Sequence, residues 1–316
     1  MSGQRPMAQI LMAVYNGEEY LREQIDSLLS QTFGDWELLV SDDASTDGSL
    51  AILQEYARRD ERIHVVLDGE RYGSAKRHFM ALLRLADAPY VMTCDQDDVW
   101  DRDKIEVTLR AMREAEDEAR PLLVCTDLRV VDGELREIAP SFLTYSGMDA
   151  STPDFGYFLA SCLVTGCTMM VNRPLLDLLR RPVNGRAIVM HDWWASLVAA
   201  AFGRVIHLDR ATISYRQHGD NSVGADRFTL RRALAALDDK RATERAALAQ
   251  AGEFKRVFGE DLDERKLRQL DAYLKIPASS PIARIPLLTK AGVWRRGLLR
   301  NAGTLLVFLT LGRTDG

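Results

Sequence analysis

The stretch that decides the fold is Tyr90-Val91-Met92-Thr93-Cys94-Asp95-Gln96-Asp97-Asp98, a mostly apolar run that passes straight into three carboxylates within four positions. A short apolar run closed by polar residues reads as a buried strand. Working back from it, Ile63 to Leu67, Trp36 to Val40 and Gln9 to Val14 read the same way. Between these runs apolar residues recur at helical spacing: Leu21, Ile25, Leu28 and Leu29; then Leu50, Leu53 and Ala57; then Phe79, Leu82, Leu83 and Ala86. Strands alternating with helices predict a mostly parallel sheet with helices on both faces. Ligands of such sheets bind beyond the carboxyl ends of the strands. Three polar clusters fall there: Tyr15-Asn16-Gly17, Asp42-Asp43 and Asp95 to Asp98.

Working forward, the pattern loosens after Asp127. Gly166 to Val171 reads as a strand, with Asn172-Arg173-Pro174 opening a helix. His191 to Ala201 reads as a helix and Val205 to Leu208 as a strand. Beyond Arg227 a helix is expected, with Leu230, Ala233, Leu234 and Leu237 on one face.

A chain of 316 residues suits one catalytic domain, expected over residues 1–225, and a helical C-terminal region over 226–316. Hydrophobic residues make up 47% and charged residues 28%, enough for an ordinary globular core. A net charge of −5 argues against nucleic-acid binding. None of the four cysteines, Cys94, Cys125, Cys162 and Cys167, forms a CxxC pair, so buried thiols in a reducing compartment are expected. No signal peptide is expected at the N-terminus, and no run reaches the roughly 20 apolar residues of a membrane span. From Arg265 onward, ten basic residues stand against only Asp271 and Asp315. Ile285, Leu287, Leu288, Val293, Trp294, Leu298 and Leu299 lie among them. That mixture suits a helix lying on an anionic membrane surface, or equally a helix docked on protein.

Carboxylates crowded as at Asp95, Asp97 and Asp98 repel one another and cannot be buried without compensation. A hard divalent cation, Mg²⁺ or Mn²⁺, removes that cost and is held by one or two carboxylates plus substrate phosphates. A solvated acidic loop is the plainer alternative. Asp43 can accept from a base N–H or a ribose hydroxyl, with Thr46 or Asp47 left to cap the helix that follows. Tyr15 can stack on a flat base or stand as a rim aromatic. Asp192 either benefits from the helix dipole or serves as a general base. Trp193 and Trp194 suit a sugar face or a core. His218 is an isolated loop histidine that can complete a metal site.

Met12-Ala13-Val14-Tyr15-Asn16-Gly17, Gln31-Thr32-Phe33, Trp36-Glu37, Asp42-Asp43 and Asp95-Gln96-Asp97-Asp98-Val99-Trp100 together resemble family 2 of the inverting glycosyltransferases, which have the GT-A fold. Thr165-Gly166-Cys167-Thr168-Met169-Met170, Met190-His191-Asp192-Trp193 and Tyr215-Arg216-Gln217-His218 are similar to bacterial cell-surface α-L-rhamnosyltransferases of the streptococcal rhamnan type. The resemblance runs from about Gln9 to Gly224 and departs from the family pattern at Val14, Ala44 and Arg102.

The resemblance implies a nucleotide-sugar donor, probed by Ala13, Tyr15, Asp43, Lys76, Asp95 and Gln96. Tyr15 and Asp43 would meet the base, and Asp95 the ribose. It implies Mn²⁺ or Mg²⁺ on Asp97 and His218, with Asp192 as catalytic base. It also implies a saccharide acceptor, on a lipid carrier, near Thr165, Gly166, Trp193, Trp194 and Arg216. The donor it implies is dTDP-β-L-rhamnose, and the place the cytoplasmic side of the membrane. A uridine-diphosphate hexose donor is the nearest rival. A metal-dependent phosphohydrolase and a non-catalytic sugar-binding module are the others, and an oligomer stays open.

Overall fold

A computed structural model describes residues 5–67, 69–117, 119–148, 154–217, 237–294 and 298–311. The strands are β1 (Ala8–Val14), β2 (Trp36–Asp42), β3 (Ile63–Val65), β4 (Tyr90–Cys94), β5 (Val99–Trp100), β6 (Leu122–Val131), β7 (Glu137–Ala139), β8 (Met169–Asn172) and β9 (Arg204–Arg216). The helices are α1 (Leu21–Leu29), α2 (Ser49–Arg59), α3 (Ala75–Leu85), α4 (Lys104–Ala115), α5 (Phe142–Tyr145), α6 (Phe155–Ala160), α7 (Arg173–Leu179), α8 (His191–Phe202), α9 (Leu237–Phe258), α10 (Glu264–Leu274), α11 (Pro281–Ala291) and α12 (Leu298–Leu309).

One mixed sheet runs in the order β3-β2-β1-β4-β8-β6-β9-β5, with β7 on β6. The first four strands are parallel, as their alternation with helices predicts. β8 is antiparallel to both β4 and β6, which closes the second half around the end of the first. Because side chains alternate across a strand, Leu11, Leu39 and Val91 face one core while Ile10, Met12, Leu38 and Met92 face the other. The second core takes Ile25 of α1 and Leu53 of α2; the first takes Phe79 of α3 and almost all of α8.

Local signals are honoured at several helix starts. Ser74 caps α3 by accepting from the Arg77 amide. Asn172 caps α7, with a proline in its first turn. Two expectations change. Gly166 to Thr168 form a 3₁₀ turn, and only Met169–Asn172 is strand. The strand expected at Val205 to Leu208 instead runs for 13 residues. Register shifts against β6 around Asp127 keep that chain in the sheet past the exposed Asp209 and Arg210.

The C-terminal helices share the first core. Phe254 of α9 lies 5.7 Å from both Phe155 and Trp194, measured between ring centres. α11 and α12 are joined by the buried Arg284, whose guanidinium donates to the carbonyls of Phe308 and Leu311 at 2.7 and 2.6 Å. Cations are favoured at a helix C-terminus. The start of the helix expected beyond Arg227, with Leu230, Ala233 and Leu234, lies outside the described residues.

Candidate active site

Parallel pairing sets Val14 beside Asp42 and Met12 beside Cys94, so β1, β2 and β4 all end at one edge of the sheet. A cleft of ≈ 400 Å³ opens there. Ala13, Tyr15, Asp43, Asp95, Gln96 and Asp97 line it from the parallel half. Thr165, Gly166 and Asp192 reach it from the second half.

Gln96 folds back on Tyr15: its Oε1 accepts from the Tyr15 amide at 2.8 Å and its Nε2 donates to the Tyr15 carbonyl at 3.1 Å. The Tyr15 ring stays 48% exposed, open for stacking. Asp43 is buried, and its two oxygens accept the backbone N–H groups of Tyr72 and Gly73. It therefore anchors the β3–α3 loop as a wall of the cleft. Asp47 accepts from the amide and the hydroxyl of Ser49 at the start of α2.

The acidic turn after β4 is electrostatically crowded. Burial first, then the charges of Asp97 and Asp192, raise the Asp95 carboxyl above the ordinary carboxylate range. Asp98 is fully buried and is pushed well above the carboxylate range by burial, Asp97 and Asp95. Its Oδ1 accepts from the Arg216 amide at 3.1 Å, and its Oδ2 has no hydrogen-bond partner among the described residues.

Asp192 sits in the first turn of α8, where the helix dipole favours negative charge. Its Oδ1 accepts from the Trp193 amide at 2.6 Å. Burial raises its carboxyl to about 6, opposed by the amides of Trp193 and Gly166. It is thus ionised near neutral pH and still basic enough to take a proton. His191 beside it stacks on Phe79 at 4.2 Å, and burial pulls its imidazole down to about 3. Asp192 thus lies across the cleft from the carboxylate cluster at the strand ends.

Residues 9–179 match the model of the family described as glycosyl transferase family 2. The chain belongs to glycosyl transferase family 2.

This glycosyltransferase is 33% identical over 206 residues to TuaG of Bacillus subtilis, a protein named for teichuronic acid biosynthesis, covering 64% of this chain and 76% of that one. It is 30% identical over 226 residues to the dTDP-rhamnosyl transferase RfbG of Shigella flexneri, covering 68% and 74%. Among solved structures it resembles the mannosyltransferase PcManGT of Pyrobaculum calidifontis in complex with GDP-Man and Mn²⁺. There the TM-score is 0.53 at 18% identity, over 98% of this chain and 86% of that one. The fold of this glycosyltransferase is GT-A, a mixed α/β sheet with a helical C-terminal region.

The acidic turn of the glycosyltransferase offers carboxylate oxygens of the kind a hard divalent cation takes. Oxygens of Asp95 and Asp98 and the Cys167 sulfur lie within 4.8 Å of one another. Burial keeps the Cys167 thiol protonated, a poor ligand for Mg²⁺ or Mn²⁺, while Asp98 gives Oδ1 to the Arg216 amide and leaves Oδ2 without a hydrogen-bond partner among the described residues. Asp95 and Asp97 both face the cleft, so an ion there would meet carboxylates of this turn. His218, expected beside Asp97, lies outside the described residues.

Four expected contacts of the glycosyltransferase are corrected. Lys76 donates its ammonium to the Ile188 carbonyl and does not line the cleft. Trp194 is fully buried against Phe254 and Phe258, and Trp193 is buried with its indole N–H on the Phe158 carbonyl at 2.7 Å. Neither indole offers a face to a sugar. Arg216 is buried, its side chain taken up by other protein groups. In return, Arg71, His78 and His191 line the cleft unforeseen. Only His191 carried a signal, its place beside Asp192 at a helix start.

Proposed function

We propose that this glycosyltransferase moves L-rhamnose from dTDP-β-L-rhamnose to a hydroxyl of a saccharide acceptor, in cell-surface polysaccharide synthesis, with inversion at the anomeric carbon. The observation that carries the reading is the 30% identity to a dTDP-rhamnosyl transferase over 74% of that protein's length. TuaG, named for teichuronic acid biosynthesis, supports the polymer context.

Asp192 accepts the proton of the acceptor hydroxyl. The oxygen attacks the anomeric carbon from the face opposite the leaving group, and the sugar–phosphate bond breaks with its electron pair on the nucleoside diphosphate. Asp97, with Asp95 beside it, would hold Mn²⁺ or Mg²⁺, which would supply charge stabilisation for the departing diphosphate. Tyr15 stacks on the base. Asp43 shapes the base pocket through the loop it anchors, and Gln96 fixes the Tyr15 backbone. Thr165 and Gly166 border the acceptor side.

The acceptor in this reading is lipid-linked, and the protein works at the cytoplasmic face of the membrane. No helix among the described residues is long and apolar enough to cross a membrane. α11 instead exposes Ile282 at 83% and Ile285 at 42%, with Lys290 exposed nearby, which suits contact with an anionic lipid surface.

Calorimetric titration with thymidine diphosphate and uridine diphosphate, with Mn²⁺ and then with chelator, tests the donor. Tighter, cation-dependent binding of the thymidine form is expected, and Asp97→Asn should remove the dependence. Preference for the uridine form discards rhamnose and leaves a uridine-diphosphate hexose as donor. Cation dependence that survives Asp97→Asn removes Asp97 from the ion.

A further inference from the structure

Arg216 is 2% exposed, at the end of β9 where the sheet meets the acidic turn. Its amide donates to Asp98 Oδ1 at 3.1 Å, and its Nε donates to the Asp97 carbonyl at 2.9 Å. One terminal nitrogen donates to the Gly133 carbonyl and the other pairs with the Glu23 carboxylate. The guanidinium carbon lies 4.4 Å from the centre of the Tyr20 ring. Four segments therefore meet on one side chain: α1, the acidic turn, the turn after β6, and β9.

Three carboxyls crowded into one turn each disfavour the ionised form of the others. A guanidinium holds such a turn because its planar fork presents several donors in fixed directions, which a lysine ammonium does not reproduce. A buried arginine persists only when it is fully hydrogen-bonded, and here its donors go to the backbone of the turn and to its neighbours.

We propose that Arg216 is a positioning residue. By holding the Asp97 backbone it sets the Asp95 and Asp97 carboxylates to receive a divalent cation together with a nucleoside diphosphate. The inference rests on the metal-assisted donor site of the preceding reading. Arg216 acts through the turn, since its guanidinium donates to protein groups.

The test compares the affinity for thymidine and uridine diphosphates with Mn²⁺ and with chelator, in wild type, Arg216→Lys and Glu23→Ala. Groups that orient metal ligands typically contribute about 10–100-fold in metal affinity. Arg216→Lys is expected to lower the Mn²⁺-assisted affinity at least about tenfold while the chelator value barely moves. Glu23 has its side chain 57% exposed, so water can reach the place its carboxylate leaves, and Glu23→Ala is the milder change, with its fold checked by circular dichroism. It is expected to show a smaller loss of the same kind, and it decides the matter if Arg216→Lys does not fold. An unchanged ratio in the folded variant overturns the proposal. Equal losses with and without Mn²⁺ overturn it too, because they mark an arginine that only supports the fold. Wild-type protein that binds no better with Mn²⁺ sinks the metal site itself, and this inference with it.

Discussion

The His191 imidazole lies so close to Gly166 that a Cβ on the glycine would stand 2.8 Å from His191 Nε2, and 3.7 Å from Asp192 Oδ2. The turn before β8 and the start of α8 are therefore in close contact at this position. Gly166→Ala should push α8 away from the acidic turn and misplace Asp192. A misplacement near 1 Å can cost about 10²-fold in rate. Turnover should fall by about that factor while nucleoside diphosphate affinity stays within a few-fold, as steady-state kinetics and calorimetry on the same sample would show. A fully active Gly166→Ala enzyme would mean that α8 tolerates the displacement.

Asp192→Asn should remove about 10²–10⁴ in turnover, the usual worth of a positioned base, and leave donor binding intact. The wild-type carboxyl sits at about 6. A base must be ionised to work, so kcat/KM should rise with pH through about 6 and then level off. Loss of donor binding in the variant would make Asp192 structural, and a profile flat from pH 5 to 8 would remove it as the base.

His191 gives a stability prediction. Burial lowers its imidazole from 6.5 to about 3, so the folded state holds it neutral. That contribution is complete above pH 6.5 and is withdrawn as pH falls from 6.5 towards 3. With each pH unit worth about 1.4 kcal/mol, the loss by pH 5 is about 2 kcal/mol. Denaturant unfolding of His191→Asn at pH 7 and pH 5 should show a shallower decline than wild type. Parallel declines would place the acid sensitivity on other groups.

The join between α8 and the C-terminal helices gives another. Phe254 is fully buried and lies 5.1 Å from Phe258 and 5.7 Å from Trp194, between ring centres. Phe254→Ala should cost about 3–5 kcal/mol, as deletions of buried aromatic rings do. Amide exchange over α8 should quicken with it. Exchange unchanged over residues 191–202 would show that the C-terminal helices are energetically separate from α8.

The parallel half of the fold was legible because its apolar runs are short, similar and separated by helical spacing. Short apolar runs and a period of 3.6 between them appear directly in the residues from Gln9 to Cys94. The second half was only partly legible. β9 outlasts its apolar stretch because its polar middle is held by pairing with β6, and that pairing is a property of the sheet, not of the segment.

At the site, type and position marked Asp43, Asp95 and Asp97, since carboxylates at strand ends need a cation, a donor or solvent, and also Tyr15 at the mouth of β1 and Asp192 at the start of α8. Type could not say where each side chain points. Trp194 suits a sugar as well as a core, and only the packing of α9 on α8 places it inside. Lys76 and Arg216 read as ligand contacts until the partners that satisfy them, Ile188, Asp97, Gly133 and Glu23, are brought near from elsewhere in the chain. Sequence determined the chemistry available at the cleft, because charge and period are local. Tertiary structure decided which groups face it, because burial and hydrogen-bond partners come from residues up to 193 positions away.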